Sequence, residues 1–133
     1  QAVGLCNETG AEHFRGCLVV PLGHPDLGTA SLYGRRLQGE SRHLMLAGPC
    51  EGVLNWQALK ASPAVVVAEG VWDALALWQA GVREATCLLG LQGPSPTLTE
   101  LLRRFEVREV TLCLDGDESG RQAQDRIATA SQS

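Results

Sequence analysis

The sequence predicts an α/β fold, a parallel sheet with flanking helices preceded by a small, mostly antiparallel β extension. Three observations lead there. Ala64-Val65-Val66-Val67-Ala68 is a continuous apolar run with β-branched residues at its centre, the pattern of a strand buried on both faces. Two further strand-like runs, Ala85 to Leu89 and Glu109 to Leu114, follow it, and helix-like segments lie between the runs. The residues before position 61 instead carry hairpin spacing and turn residues. Strand and helix in alternation imply parallel strands joined by right-handed crossovers.

In the second half, Glu69-Gly70 ends the first strand, and Val71 to Ala80 is apolar nearly all round, predicting a well-buried helix closed by Gly81. Gly90 closes the second strand. Thr97, with Glu100 three residues on, has the pattern of a capping box for a helix from about Leu98 to Phe105. The third strand leads into Asp115-Gly116-Asp117-Glu118-Ser119-Gly120, and a last helix is expected from Ser119 to about Ala130. In the first half, Cys17 to Leu22 and Thr29 to Leu37 form the expected hairpin around His24-Pro25-Asp26-Leu27-Gly28, and Leu44-Met45-Leu46 is a third short strand. The domain reading is therefore residues 1–60 as an antiparallel extension and 61–133 as an α/β core.

The chain has 133 residues, enough for one core of ordinary composition, with 44% hydrophobic and 20% charged residues. No apolar run approaches the roughly 20 residues needed to span a bilayer. The start, Gln1-Ala2-Val3-Gly4-Leu5, has no basic region, which argues against a signal peptide, and no initiator Met, which reads as a piece cut from a longer protein. The five cysteines are scattered without a C-x-x-C pair. That fits reduced thiols in a cytoplasmic protein better than zinc, with Cys87 and Cys113 packed inside strands. The net charge is −4, and residues 61–133 hold all of the acidic excess. Charge alone therefore does not make this chain a nucleic-acid binder.

That excess points to chemistry. Carboxylates crowded at a strand end repel one another unless a cation sits among them, and oxygen-only ligands favour Mg²⁺ or Mn²⁺. Asp115 and Asp117, alternate residues, share a face of an extended segment. In open α/β sheets the ligand site lies outside the carboxyl ends of the strands, where the strand order reverses. With the second strand outermost and the first and third adjacent, Glu69 would face Asp115 across one strand spacing, about 4.8 Å. Asp73, one turn into the following helix, could reach the same crevice.

Val67-Ala68-Glu69-Gly70-Val71-Trp72-Asp73-Ala74-Leu75 and Leu114-Asp115-Gly116-Asp117-Glu118-Ser119-Gly120-Arg121 resemble the Toprim domain, and within it the bacterial-type primases, including those of phages and plasmids. Phe14-Arg15-Gly16-Cys17-Leu18-Val19-Val20-Pro21-Leu22, Tyr33-Gly34-Arg35-Arg36-Leu37 and Arg42-His43-Leu44 are similar to the segment that precedes Toprim in those proteins. The resemblance implies metal-dependent nucleotidyl transfer that makes primers on single-stranded DNA from nucleoside triphosphates. A Toprim nuclease or a non-catalytic nucleotide- or DNA-binding module is the alternative. By the same resemblance Glu69, Asp115 and Asp117 are the catalytic acids, and Glu69, Asp73, Asp115 and Asp117 hold the metal. Arg35, Arg42 and Arg121 contact phosphate or nucleic acid. His43 departs from the Tyr usual in primases, and the last Toprim strand and its acidic motif are not in the sequence. A replicative helicase would dock through regions outside it.

Overall fold

The structure, a computed structural model, describes Cys6 and residues 10–39, 43–46, 49–89 and 93–114. It divides into two compact units, Gln1–Gly52 and Val53–Ser133. The division falls before the Ala61 expected from the sequence, because a short helix unanticipated in the sequence opens the second unit.

In the first unit, β1 (Cys17–His24) pairs antiparallel with β2 (Gly28–Arg36), and β2 pairs with β3 (His43–Met45). The hairpin and the third strand are those the sequence predicts. The register slips between Leu22 and Gly23, an irregularity that bends the edge strand. Leu22 is fully buried. Gly52 lies against its backbone, where an added Cβ would come within 2.6 Å of the Leu22 carbonyl oxygen. Gly34 has a different neighbour: the Phe14 ring fills the space a side chain would take.

The second unit is a parallel sheet in the order β5-β4-β6, built from β4 (Ala64–Ala68), β5 (Ala85–Cys87) and β6 (Glu109–Cys113). This is the predicted arrangement, with the first of its strands central and the second outermost. Val65 and Val67, on one face of β4, join a buried cluster with Leu59 of α1 (Trp56–Ala61) and Leu98 and Leu101 of α3 (Pro96–Arg104). Helix α2 (Val71–Gln79) packs on β4 and β5 outside that cluster. Successive right-handed crossovers leading to opposite sides of a central strand put their helices on opposite faces.

Several local expectations need correcting. The cap of α3 is Ser95, whose side chain accepts from the Leu98 amide at 3.1 Å, with Pro96 at the first helical position. Proline's fixed φ suits the first turn, so the helix begins before Thr97. Helix α2 is two-sided: Val71 and Ala74 are buried, while Asp73, Ala76 and Trp78 are exposed. Its C-terminus closes in a Schellman motif, with Gly81 (φ 109) bonding to Trp78 and Val82 to Leu77. Cys87 is buried as expected but Cys113 is exposed, because β6 turns alternate side chains to solvent. β5 ends at Cys87, and Leu89 takes φ 60. The expected helix over 119–130 lies outside the described residues.

Helix α1 enters from Asn55, itself left-handed at φ 54. The Asn55 amide donates to the carbonyls of Arg83 and Ala85 at 2.9 and 3.0 Å, which ties the turn to the start of β5. Thr86, fully buried, donates its hydroxyl to the Leu54 carbonyl at 2.6 Å. The buried Thr86 hydroxyl thus has its partner, as a low-dielectric core requires.

Candidate active site

Parallel strands end together, and here Glu69 follows that end of the sheet. Ala68 pairs with Cys113 at the ends of β4 and β6, and the Leu88 amide bonds to the Ala68 carbonyl at 3.0 Å. Glu69 leaves β4 immediately past this point and is half-buried. Gly70 follows as the extended N-cap of α2, its carbonyl taking the first helical bond from Ala74 at 3.1 Å. Asp73 sits in the first turn, exposed, where a carboxylate interacts favourably with the helix dipole. A Cβ built at Gly70 would lie 3.5 Å from Asp73 Oδ2, so that carboxylate leans back over the cap glycine.

Glu69 and Asp73 therefore come to one end of the sheet, beside the switch point between β4 and β6. Asp115, two residues beyond the end of β6 in sequence, Asp117 and Arg121 lie outside the described residues, as does Arg42. Among the described residues no three His, Cys, Asp or Glu gather in one cluster. The two carboxylates that are described fit a hard divalent cation in chemistry. They offer oxygen donors at the end of a buried strand, next to a glycine that leaves the backbone open.

Arg35 belongs to the first unit. It is half-buried on β2, paired in register with Leu18 on one side and His43 on the other. Next to it, the buried Tyr33 hydroxyl and His43 Nδ1 share a hydrogen bond. That pair escaped sequence reasoning, although period-two spacing places Tyr33 and Arg35 on one face of β2 and the register sets His43 opposite Arg35. Trp56 is half-buried and stacks on Phe105 with centroids 6.2 Å apart. Trp78, expected in the core, is 46% exposed and carries the Arg83 guanidinium 3.7 Å from its ring centroid.

An acid leaving the central strand of a β5-β4-β6 parallel sheet, with an Asp-Gly-Asp segment following the neighbouring strand, defines a Toprim type of protein. The chain belongs to the Toprim-like family, whose match covers residues 66–133. Its Toprim domain is of the kind that DNA primases carry. The DNA primase of Myxococcus xanthus is 32% identical over 129 residues, covering 88% of this chain and 21% of that protein. A DNA primase domain from Pseudomonas aeruginosa superposes with a TM-score of 0.77 at 26% identity, covering 96% of this chain and 44% of the other. The E. coli primase catalytic core gives 0.75 at 25% identity, covering 93% and 44%. The primase likeness extends through the first unit, beyond the Toprim-like match. The chain spans about a fifth of the Myxococcus primase it matches. No helix among the described residues is long and apolar enough to cross a membrane.

Proposed function

We propose that this chain is the Toprim catalytic region of a primase-type nucleotidyltransferase that makes primers on single-stranded DNA for replication in the cytoplasm. The observation that carries this reading is the strand-end register. Ala68 and Cys113 are partners at the carboxyl ends of β4 and β6; Glu69 follows the first of these ends, and the Asp115-Gly116-Asp117 motif follows the second in sequence. Membership of the Toprim-like family supports it.

Toprim domains of primases work with a divalent metal. In this reading Asp115 and Asp117, with Glu69 and Asp73, would hold Mg²⁺ or Mn²⁺, which would neutralise triphosphate charge and ease loss of the proton from the attacking 3′-hydroxyl. The protein's own part is positional, as phosphoryl transfer asks. Glu69, fixed at the end of a buried strand, accepts a proton or orients the metal-bound acids. Asp73 lies in the first turn of α2, beside the cap glycine. Arg35, Arg42 and Arg121 hold nucleotide phosphates or the template backbone. A replicative helicase is the expected partner of the parent protein.

Primer synthesis by the parent protein on a single-stranded template, with nucleoside triphosphates and Mg²⁺ or Mn²⁺, tests this. Asp115→Asn and Asp117→Asn should each lower the rate by more than about 100-fold, beyond the loss usual for outer-shell partners of a metal. Wild-type rates in both variants would sink the reading. Template scission in place of primers would indicate a Toprim nuclease, and metal-dependent nucleotide binding without product a binding-only module.

A further inference from the structure

Three described residues other than glycine hold a left-handed backbone: Asn55, Leu89 and Glu106. Two stand at helix ends. Asn55 caps α1, and asparagine tolerates that conformation. Glu106 follows α3, where a left-handed residue commonly closes a helix. Leu89, at φ 60, is an aliphatic residue two positions past β5, and no helix end explains it. Its Cβ makes the conformation costly, whereas Gly90, next in sequence, could adopt it freely. A strained residue persists only where its surroundings over-determine it, and such residues gather at functional sites.

The chain is fixed right up to Leu89. Leu88 is 2% exposed and packs into the cluster of Val65, Val67 and Leu101. Its amide bonds to the Ala68 carbonyl at 3.0 Å, and that carbonyl belongs to the peptide joining Ala68 to Glu69. The bond closes the ladder of β4 and β5, whose last pair is Ala68 and Cys87. Parallel ladders space their bonds evenly, so the next in this register would run from the Gly70 amide to the Leu88 carbonyl. It is not made among the described residues. Gly70 instead caps α2, its carbonyl taking the Ala74 amide at 3.1 Å. Gly70 is itself extended, at φ −127 and ψ 170, a backbone that could continue the ladder. The ladder stops because its other strand turns away at Leu89.

We propose that Leu89 is a positioning residue: its left-handed backbone stops β5 directly after the Ala68 bond, so that Glu69 and Gly70 stay outside the sheet. With Leu89 extended, β5 would run one step further, as the apolar sequence from Ala85 to Leu89 favours, and would draw Gly70 into the ladder. Glu69 would then be a strand residue, its side-chain direction set by the pleat rather than by the start of α2. The effect on the sheet is independent of chemistry, and the effect on rate rests on the catalytic reading of Glu69.

Two substitutions separate backbone from side chain. Valine resists a left-handed backbone and favours strands, whereas asparagine adopts it readily but loses the apolar side chain. In the full chain, Leu89→Val should slow hydrogen exchange at the Gly70 amide at least tenfold, because that amide gains a ladder partner. Leu89→Asn should leave it within threefold of wild type. In the parent protein, Leu89→Val should lower kcat for primer synthesis at least tenfold with the nucleotide KM within threefold, and Leu89→Asn should keep kcat within threefold. A role in packing alone predicts the reverse order, with the asparagine variant the more damaged. Gly70 exchange unchanged or faster in Leu89→Val, or a loss of kcat in Leu89→Asn as large as in Leu89→Val, would overturn the assignment. If Glu69→Gln makes primers at the wild-type rate, the catalytic reading fails by itself, and Gly70 exchange alone then decides the role of Leu89.

Discussion

The two units are built on opposite principles. The second buries a continuous apolar cluster, Val53, Leu59, Val65, Val67, Leu88, Leu98 and Leu101, with the strand ends serving as an edge for carboxylates. The first has few fully covered apolar side chains, chiefly Leu22 and Tyr33, and leaves Leu18, Val19, Leu27 and Leu37 exposed. It rests on ladder hydrogen bonds and on backbone approaches such as Gly52 to Leu22. The packed unit holds acids that would repel one another on a loose scaffold, and the open unit presents arginines on both faces of a thin sheet. All three tryptophans, Trp56, Trp72 and Trp78, lie in the second unit, so their fluorescence reports that unit alone.

The largest effect should come from the packed side. Leu101, fully buried between α3 and the sheet, should cost about 3 kcal/mol on replacement by Ala, the transfer loss plus the cavity left behind. Urea unfolding followed by tryptophan fluorescence measures it, and a loss under 1 kcal/mol would mean the cluster is not the core. Next, Gly52→Ala forces backbone apart in the first unit and should cost about 1–3 kcal/mol. Its signature is faster hydrogen exchange at the Leu22–Ser31 ladder with little change in the tryptophan midpoint. Should the two signals move together, the units would not be separable in stability. Ser95→Ala removes the cap of α3 and should lower the tryptophan midpoint by about 1 kcal/mol. Smallest and opposite in sign is Glu106→Gly. Glu106 holds φ 55 in the left-handed position after α3, where its amide bonds to Arg103 and the Val107 amide to Leu102. Glycine adopts that conformation freely, so the variant should gain about 0.5 kcal/mol net of its unfolded-state entropy.

The packed unit was also the more legible in sequence. A strand buried on both faces reads as an unbroken apolar run, and β4 runs over the residues expected of it. Its central place in the sheet is the arrangement the site reading took as its condition. Reading failed where a short-range signal competed with geometry. The six residues of α1 are too few to show a period, and the helix enters through a left-handed Asn55 rather than a side-chain cap. Ser95 lost to Thr97 in the sequence reading because the Thr97/Glu100 spacing resembles a capping box, whereas Pro96 at the first helical position decides the start. Trp78 looked like core because its neighbours are apolar, yet it lies at the far end of α2 and pairs with Arg83 instead. In the first unit the hairpin was visible from its turn residues. Of the site, Glu69 and Asp73 could be placed from a strand end and a helix start. Asp115 and Asp117 rest on the sequence motif.

The central claim is that the edge beyond β4 and β6 is a catalytic carboxylate site, and Glu69 is, with Asp73, one of its described members. The most direct measurement is the primer-synthesis rate of the parent protein carrying Glu69→Gln, on a single-stranded template with Mg²⁺, beside the wild type at matched tryptophan-detected stability. A fall of more than about 100-fold with the unfolding midpoint unchanged is the predicted result. Synthesis at the wild-type rate would contradict the account.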